Sequence, residues 1–331
     1  MSTVLLVSIL LVPASALGCA GLAYRMRRHH VGQFIREAGP TSHHAKAGTP
    51  TMGGAVLLLL WAVAVSALSL VGDMPGSSGF VLTSGTAFAA IGALDDLLSL
   101  RRRRSMGLSG RWKVVLSVAI AAGLYGAFRE SIASTLSIPF STGTIDLPSW
   151  AAFLLTVVVF LATTNALNLT DGLDGLAGAC SVLILVGSLF FPSSVAYAPV
   201  VLPLAAVVVG FLWVNAHPAR LILGDIGSYL LGGAIAAIAL GQGTALALPL
   251  LAGVPVLEAA SVLLQIPCWK LFHRRLFRMA PLHHHFEGAA ATANVTPILP
   301  SAEWKETTIV TRFVVAQAAF VGVAVLALTF G

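Results

Sequence analysis

Long apolar runs alternate with short polar segments along this chain. Ten of these runs are long enough to cross the hydrocarbon core of a bilayer as helices, which takes about 17–25 residues. They lie at roughly 3–23, 53–72, 79–98, 112–128, 149–167, 174–192, 196–215, 227–243, 245–267 and 309–330. The pattern predicts an all-α polytopic membrane protein, with residues 1–331 forming a single integral-membrane domain of about ten helices.

The composition agrees with a bilayer as the solvent. Only 10% of the residues are charged and 57% are hydrophobic, whereas soluble domains carry about 25% charged residues. The three cysteines have neither zinc-site nor disulfide spacing, so we expect them to pack as small apolar residues. The pair Gly232–Gly233 predicts a close contact between two helices, because small residues let backbones approach each other.

Basic residues are segregated between alternate loops. Of the 19 lysines and arginines, 18 fall in the odd-numbered loops, and only Arg129 falls in an even-numbered one. The positive-inside rule then makes the odd loops cytoplasmic and puts both termini outside. These loops lie at about 24–52, 99–111, 168–173, 216–226 and 268–308. The net charge of +6 follows from this topology, so it does not indicate nucleic-acid binding.

Carboxylates collect on the same predicted cytoplasmic face. Asp95 and Asp96 are expected at the end of the third helix, where two adjacent carboxylates repel each other and oppose the helix dipole. A bound cation would relieve both effects, although a solvated helix end is the simpler alternative. Asp225, which opens the eighth helix, is either an ordinary helix cap or, given its depth and facing loops, a metal ligand.

A polar segment between the fifth and sixth runs adds further candidates. Asn168, Asp171 and Asp174 recur every three residues, so a helical segment would stack them on one face. The glycines among them permit close approach of the backbone to a ligand. So many polar groups between two membrane spans favour a functional site over a structural one.

Two loops carry candidates for binding an anion. Residues 46–54 form a Gly- and Pro-containing entry to the second helix, whose free N–H groups suit an anion, and Lys46 could pair with a phosphate. A capped helix start with an interfacial lysine explains that segment equally well. His283, His284 and His285 could bind a metal, contact a phosphate or sugar, or form a structural loop. Adjacent side chains diverge, which favours phosphate or sugar contacts over chelation of one ion.

The candidate ligands are hard oxygen donors. Carboxylates without cysteine select Mg²⁺ or Mn²⁺ over zinc. Magnesium held by a few carboxylates usually completes its shell with substrate phosphates and water. The set therefore indicates phosphoryl-transfer chemistry.

Together these segments resemble a known family, the polyprenyl-phosphate N-acetylhexosamine-1-phosphate transferases (glycosyltransferase 4 family). The peptidoglycan branch is the most similar, because of the residues that flank the histidine run, Met279 to Pro281 and Phe286 to Glu287. The matching segments occur in the family's order. They are 46–54, 95–96, 109–113, 165–177, 211–215, 224–228 and 279–287.

The resemblance implies a ten-helix fold with both termini outside, and transfer of phospho-N-acetylmuramoyl-pentapeptide from its UDP-linked donor to undecaprenyl phosphate in the bacterial inner membrane. UMP would be released, with Mg²⁺ as the cofactor. Asp95, Asp96 and Asp225 match the family's catalytic residues, and Asp225 with Asn168 its metal site. The residues that match its substrate contacts are Lys46, Thr51, Asn168, Asp171, Asp174, Gln265, His283, His284 and His285.

Three departures from the family pattern keep alternatives open. Ser99 replaces a usual lysine, Ile222 replaces an aromatic residue that stacks on uracil, and residues 288–302 form an Ala-rich insertion, expected to be a loop. The chain could thus be a divergent paralogue that uses another UDP-N-acetylhexosamine, or a low-activity protein that binds nucleoside antibiotics. A proton-coupled transporter is disfavoured, because Glu258 alone lies well inside a predicted span. A homodimer is left open.

Overall fold

The computed structural model describes residues 1–29, 32, 48–72, 74–102, 104, 107–191, 194–287 and 296–329. Within these ranges the chain is mostly helical, with one short antiparallel hairpin, β1 (Thr135–Ser137) and β2 (Thr144–Asp146). The helices are α1 (Ser2–Arg28), α2 (Gly53–Leu70), α3 (Ser77–Arg102), α4 (Gly110–Ala127), α5 (Ser149–Thr170), α6 (Leu176–Ser188), α7 (Ala198–Asn215), α8 (Gly224–Gly241), α9 (Leu248–Leu251), α10 (Gly253–Phe272), α11 (His283–Phe286) and α12 (Glu306–Thr329).

Eight of the described helices are long and apolar enough to cross a membrane: α1, α2, α3, α5, α7 with the turn before it, α8, α10 and α12. Helix α6 is apolar but has only 13 residues, and α4 is not among the eight. Each predicted apolar run overlaps a helix. The chain is therefore a mostly helical, multi-pass membrane protein, while membrane crossing by α4 and α6 stays a prediction.

The ninth predicted helix begins later than its apolar run. The run starts at residue 245, but the structure has tight turns there, then the four-residue helix α9, and only then α10 from Gly253. A Cβ atom at Gly253 would lie 2.2 Å from the ring of Phe320. Glycine therefore lets the start of α10 pack directly against α12.

Helix α8 is the centre of the bundle, and 89% of its residues are buried inside the protein. Helix α3 packs along one side and α5 along another. Cβ atoms at Gly232 and Gly233 would lie 2.6 Å from the Cα of Thr164 and 2.9 Å from the Cβ of Phe88. The predicted close packing at this glycine pair is confirmed.

The N-terminal helix α1 packs along α7 and α2. It contains the buried Cys19, and Cys180 and Cys268 are buried as well, with none in a disulfide. All three cysteines therefore act as small packing residues, as expected. Because successive long helices run in opposite directions, the end of α3, the starts of α4 and α8 and the end of α5 meet at one end of the bundle.

Candidate active site

Three aspartates converge where α3 meets the start of α8. Each of Asp95, Asp96 and Asp225 has a carboxylate oxygen within 4.8 Å of the other two. Asp95 and Asp96 are only 7% and 8% exposed. Helix α3 continues to Arg102, so the expected helix end at residue 98 is wrong. The pair lies inside the helix, on the turn that faces α8.

Asp96 caps α8 from the neighbouring helix. Its Oδ1 accepts the backbone N–H of Asp225 at 3.2 Å, and its Oδ2 accepts that of Ile226 at 3.1 Å. A carboxylate at this place is stabilised by the partial positive charge of the α8 N-terminus. The reading of Asp225 as the cap is therefore wrong, since its carboxylate makes no capping bond to its own helix.

Lys113, in the first turn of α4, lies between two of the aspartates. Its Nζ is 2.5 Å from Asp225 Oδ2 and 3.2 Å from Asp95 Oδ1. It is also 5.8 Å from the centre of the Tyr229 ring. The sequence indicated this lysine only as a charge that sets the topology and as part of the matching segment 109–113. The available signal was that Lys113 falls within the predicted apolar run 112–128, whereas Arg111 and the other basic residues before it lie outside that run.

Asn168 reaches the cluster from the last turn of α5. Its Nδ2 donates to Asp225 Oδ1 at 2.9 Å and to Ser228 Oγ at 3.1 Å. In this orientation Asn168 supports Asp225 as a hydrogen-bond donor. Direct ligation of a metal by Asn168 stays a prediction, and it requires the amide to turn its oxygen toward the ion.

The aspartates open into a polar cleft of about 620 Å³, part of which is open to solvent. Predicted substrate residues Thr51 and Asp171 contribute to its walls. Ser99 and Ile222, the two departures from the family pattern, line it as well. The residue changes noted in the sequence thus fall where a ligand in this cleft would lie.

The segment before α2 lines the cleft through Thr51, but the first N–H groups of α2 are not free. Gly53 N donates to Ile222 O at 3.0 Å and Gly54 N to Leu223 O at 2.9 Å, while Ile222 N donates to Pro50 O at 2.8 Å. The expectation that these N–H groups bind an anion is therefore wrong, since the loop before α8 occupies them. Lys46 lies outside the described residues.

Asp174 is not among the residues that line the aspartate cleft. Helix α5 ends at Thr170, and a turn follows in which Gly175 has a φ of +82°. The expected helical stacking of Asp174 with Asn168 and Asp171 is therefore wrong. Asp174 Oδ2 instead lies 3.0 Å from His217 Nδ1, and its backbone N–H donates to Glu306 at 2.9 Å. These three side chains form a second polar cluster, which the sequence did not suggest.

The histidine run packs into the protein. His283 is 1% exposed, and its Nδ1 lies 3.2 Å from Glu258 Oε2. His284 contacts Glu287. His285 Nδ1 lies 3.0 Å from the N–H of Arg278, which makes that nitrogen the acceptor and Nε2 the donor to Pro300 O at 3.0 Å.

Gln265 is similarly engaged, because its amide pairs with both backbone groups of Phe277 at 3.2 and 3.0 Å. Substrate contacts for Gln265 and the histidines stay predictions. In this structure these residues hold the segment after α10 against the helices.

The donor set of the cleft fits magnesium. Among the described residues, the group that brings three ligand atoms together here consists of carboxylates alone, without cysteine or histidine. Hard divalent cations prefer such oxygen ligands, and magnesium keeps several positions for water and substrate phosphates. The cleft beside the aspartates has the space that those additional ligands require.

Comparison with known proteins identifies the family of this chain. The family model for "Glycosyl transferase family 4" matches residues 79–242, which include all three aspartates. The phospho-N-acetylmuramoyl-pentapeptide-transferase of Desulforamulus reducens is 42% identical over 79% of this chain and 80% of its own length. That of Geobacillus kaustophilus is 40% identical over 79% and 82%, and that of Frankia alni 36% over 95% and 93%. The chain therefore belongs to the phospho-N-acetylmuramoyl-pentapeptide-transferase family of glycosyl transferases.

Proposed function

We propose that this protein transfers phospho-N-acetylmuramoyl-pentapeptide from its UDP-linked donor to undecaprenyl phosphate and releases UMP. The product is the first lipid intermediate of peptidoglycan synthesis. The observation that carries the proposal is the cluster of Asp95, Asp96 and Asp225 beside a polar cleft. The similarity to relatives with the transferase name, which covers most of their length, supports it.

The proposed location is the bacterial inner membrane, crossed ten times, with both termini outside. The segregation of basic residues supports this topology, and it makes the end of the bundle that carries the aspartates cytoplasmic. A cytoplasmic cleft suits a water-soluble nucleotide donor. The apolar helix surfaces beside it give the lipid acceptor lateral access from the bilayer.

In the proposed site, Asp225 and Asp95 would hold Mg²⁺, and Asn168 orients Asp225. Bound there, magnesium would offset the negative charge of the donor pyrophosphate. An oxygen of the lipid phosphate attacks the β-phosphorus of the donor, a new pyrophosphate bond forms, and the bond to UMP breaks. Most of the catalysis is then positioning and charge stabilisation by the residues of the cleft.

The hydrogen bonds of the two adjacent aspartates support different roles for them. Both oxygens of Asp96 accept backbone hydrogen bonds from α8, so Asp96 is assigned to holding the start of that helix. Asp95 accepts the Leu108 N–H and contacts Lys113 through Oδ1. Its Oδ2 is the oxygen that we assign to any proton removal from the lipid phosphate.

The test is UMP release by detergent-purified protein supplied with magnesium, undecaprenyl phosphate and UDP-N-acetylmuramoyl-pentapeptide. Asp225→Asn should reduce the rate by about 100-fold or more, as expected for loss of a group that stabilises transition-state charge. Asp146→Asn is the matched control, because Asp146 is exposed on the hairpin, and it should leave the rate unchanged.

A second candidate function is favoured by Ser99 and Ile222, which line the cleft. If neither UDP-N-acetylmuramoyl-pentapeptide nor UDP-N-acetylglucosamine yields UMP, the transferase proposal fails. Tight binding of a nucleoside antibiotic without turnover would then support a binding role. UMP release from UDP-N-acetylglucosamine alone would indicate a paralogue with a different donor.

A further inference from the structure

We propose that Lys113 and the divalent cation are alternative partners of the same carboxylates, so that the cation binds only when the lysine withdraws. The inference rests on the proposed function in that it takes the aspartate cluster as the metal site. It adds that this chain carries its own competing cation, which regulates how tightly that site holds a metal.

The geometry of Lys113 is that of a resident counter-ion. Its ammonium lies 2.5 Å from Asp225 Oδ2 and 3.2 Å from Asp95 Oδ1, and so bridges two of the three aspartates. The aspartate oxygens of this cluster lie within 4.8 Å of one another. A divalent ion bound by Asp225 and Asp95 would have to occupy almost the same place as this ammonium.

Electrostatics makes the two occupants exclusive. Unit charges at about 4 Å interact by several kcal/mol at the effective dielectric constant of a partly buried site, and a divalent ion doubles this repulsion. An ammonium and a metal ion sharing the same carboxylate oxygens would be closer still. The lysine therefore has to leave Asp225 when the ion enters.

Lys113 has room to withdraw. Its side chain is 19% exposed, so the ammonium can turn toward water at the mouth of the site. Because Lys113 is part of α4, the released ammonium stays beside the cleft, where it can attract the phosphates of a substrate.

The first test measures the affinity of purified protein for Mn²⁺ alone, by electron paramagnetic resonance of the free ion, without substrate. Lys113→Met should bind Mn²⁺ about ten-fold more tightly than the unaltered protein, because the competing charge is gone. Lys113→Arg, which keeps the charge, should stay within about two-fold of the unaltered protein.

Arg111→Met is the matched control for long-range charge, because Arg111 is exposed two residues earlier on the same helix. Solvent screening should limit its effect to less than about two-fold. Equal Mn²⁺ affinity in Lys113→Met and the unaltered protein, or weaker binding in the variant, overturns the inference while leaving the transferase proposal intact. Absence of Mn²⁺ binding in every variant overturns both the exchange and the metal-dependent part of that proposal.

A second measurement needs no substitution. Magnesium should accelerate labelling of Lys113 by an amine-reactive reagent, read by mass spectrometry, because the ion releases the ammonium from its two carboxylates. Lys270 and Lys305, both exposed, serve as internal references and should be unaffected. An unchanged or slower rate at Lys113 in saturating magnesium contradicts the exchange.

Discussion

Gly92 sets the distance between α3 and the start of α8, and a single methyl group there should disable the site. A Cβ atom at Gly92 would lie 2.1 Å from the carbonyl oxygen of Asp225 and 2.5 Å from the nitrogen of Ile226. Neither backbone atom can rotate away as a side chain would. Gly92→Ala therefore has to push the two helices apart by about 1 Å or more, because such contacts rarely fall below 3.4 Å.

The displacement acts directly on the geometry of the aspartate cluster. Gly92 lies one turn before Asp95 and Asp96 on the same face of α3, so the separation weakens the hydrogen bonds that Asp96 makes to Asp225 and Ile226. A misplacement of about 1 Å in an active site can cost about 100-fold in rate. Overpacking of this kind also costs about 1–3 kcal/mol of stability.

The assay is UMP release below the unfolding temperature, with the folded fraction determined by size-exclusion chromatography and thermal unfolding. Gly79→Ala is the control, because it lies on the same helix and a Cβ there meets nothing within 4 Å. It should keep full activity and gain slightly in stability from the higher helix propensity of alanine. A folded Gly92→Ala protein that retains more than a third of the activity would refute the reasoning.

Two other carboxylates lead to predictions outside the cleft. Glu306→Ala removes the acceptor of the Asp174 N–H and should lower the transfer rate about ten-fold, because the turn that contains Asp174 loosens. Glu306→Gln keeps an oxygen acceptor and should retain most of the rate. Equal losses in both variants would contradict a positioning role for Glu306. Glu258→Ala removes the acceptor of the buried His283 N–H and should destabilise the protein by about 1–3 kcal/mol, read from thermal unfolding in detergent. Glu258→Gln keeps an oxygen acceptor and should lose clearly less, and an unchanged melting temperature in the alanine variant would show that this hydrogen bond is not structurally important.

The helices could be predicted from the sequence because each apolar run is a local property of the chain. A bilayer requires a minimum length of apolar helix, and the loops between the runs contain glycines, prolines and charges. Helix ends were less certain. Helix α3 continues through Asp95 and Asp96 to Arg102. The hydropathy of the sequence falls at the first charged residues, but the backbone hydrogen bonds of the helix continue past them.

The site could be predicted only as far as its residue types. Asp95, Asp96 and Asp225 were identified from their charge and depth, and the structure brings them together. Their division of roles could not be predicted, because it depends on which backbone N–H groups lie opposite. The position of Asp174 depends on the turn between α5 and α6, because α5 ends at Thr170 and the helical spacing that the sequence suggested stops there.

At this end of the bundle, the packing of the helices sets the geometry of the aspartate cluster. Gly92 brings α3 to the backbone of α8 at Asp225, and Gly54 brings α2 to the same helix, where a Cβ would lie 2.2 Å from Gly227. Because of these contacts, the buried Asp96 reaches the N–H groups at the start of α8, and Asp225 is then held toward Lys113 and Asn168. A residue that widens either contact should therefore impair the site before it unfolds the protein, since the aspartates depend on the helix separation while most of α8 remains packed.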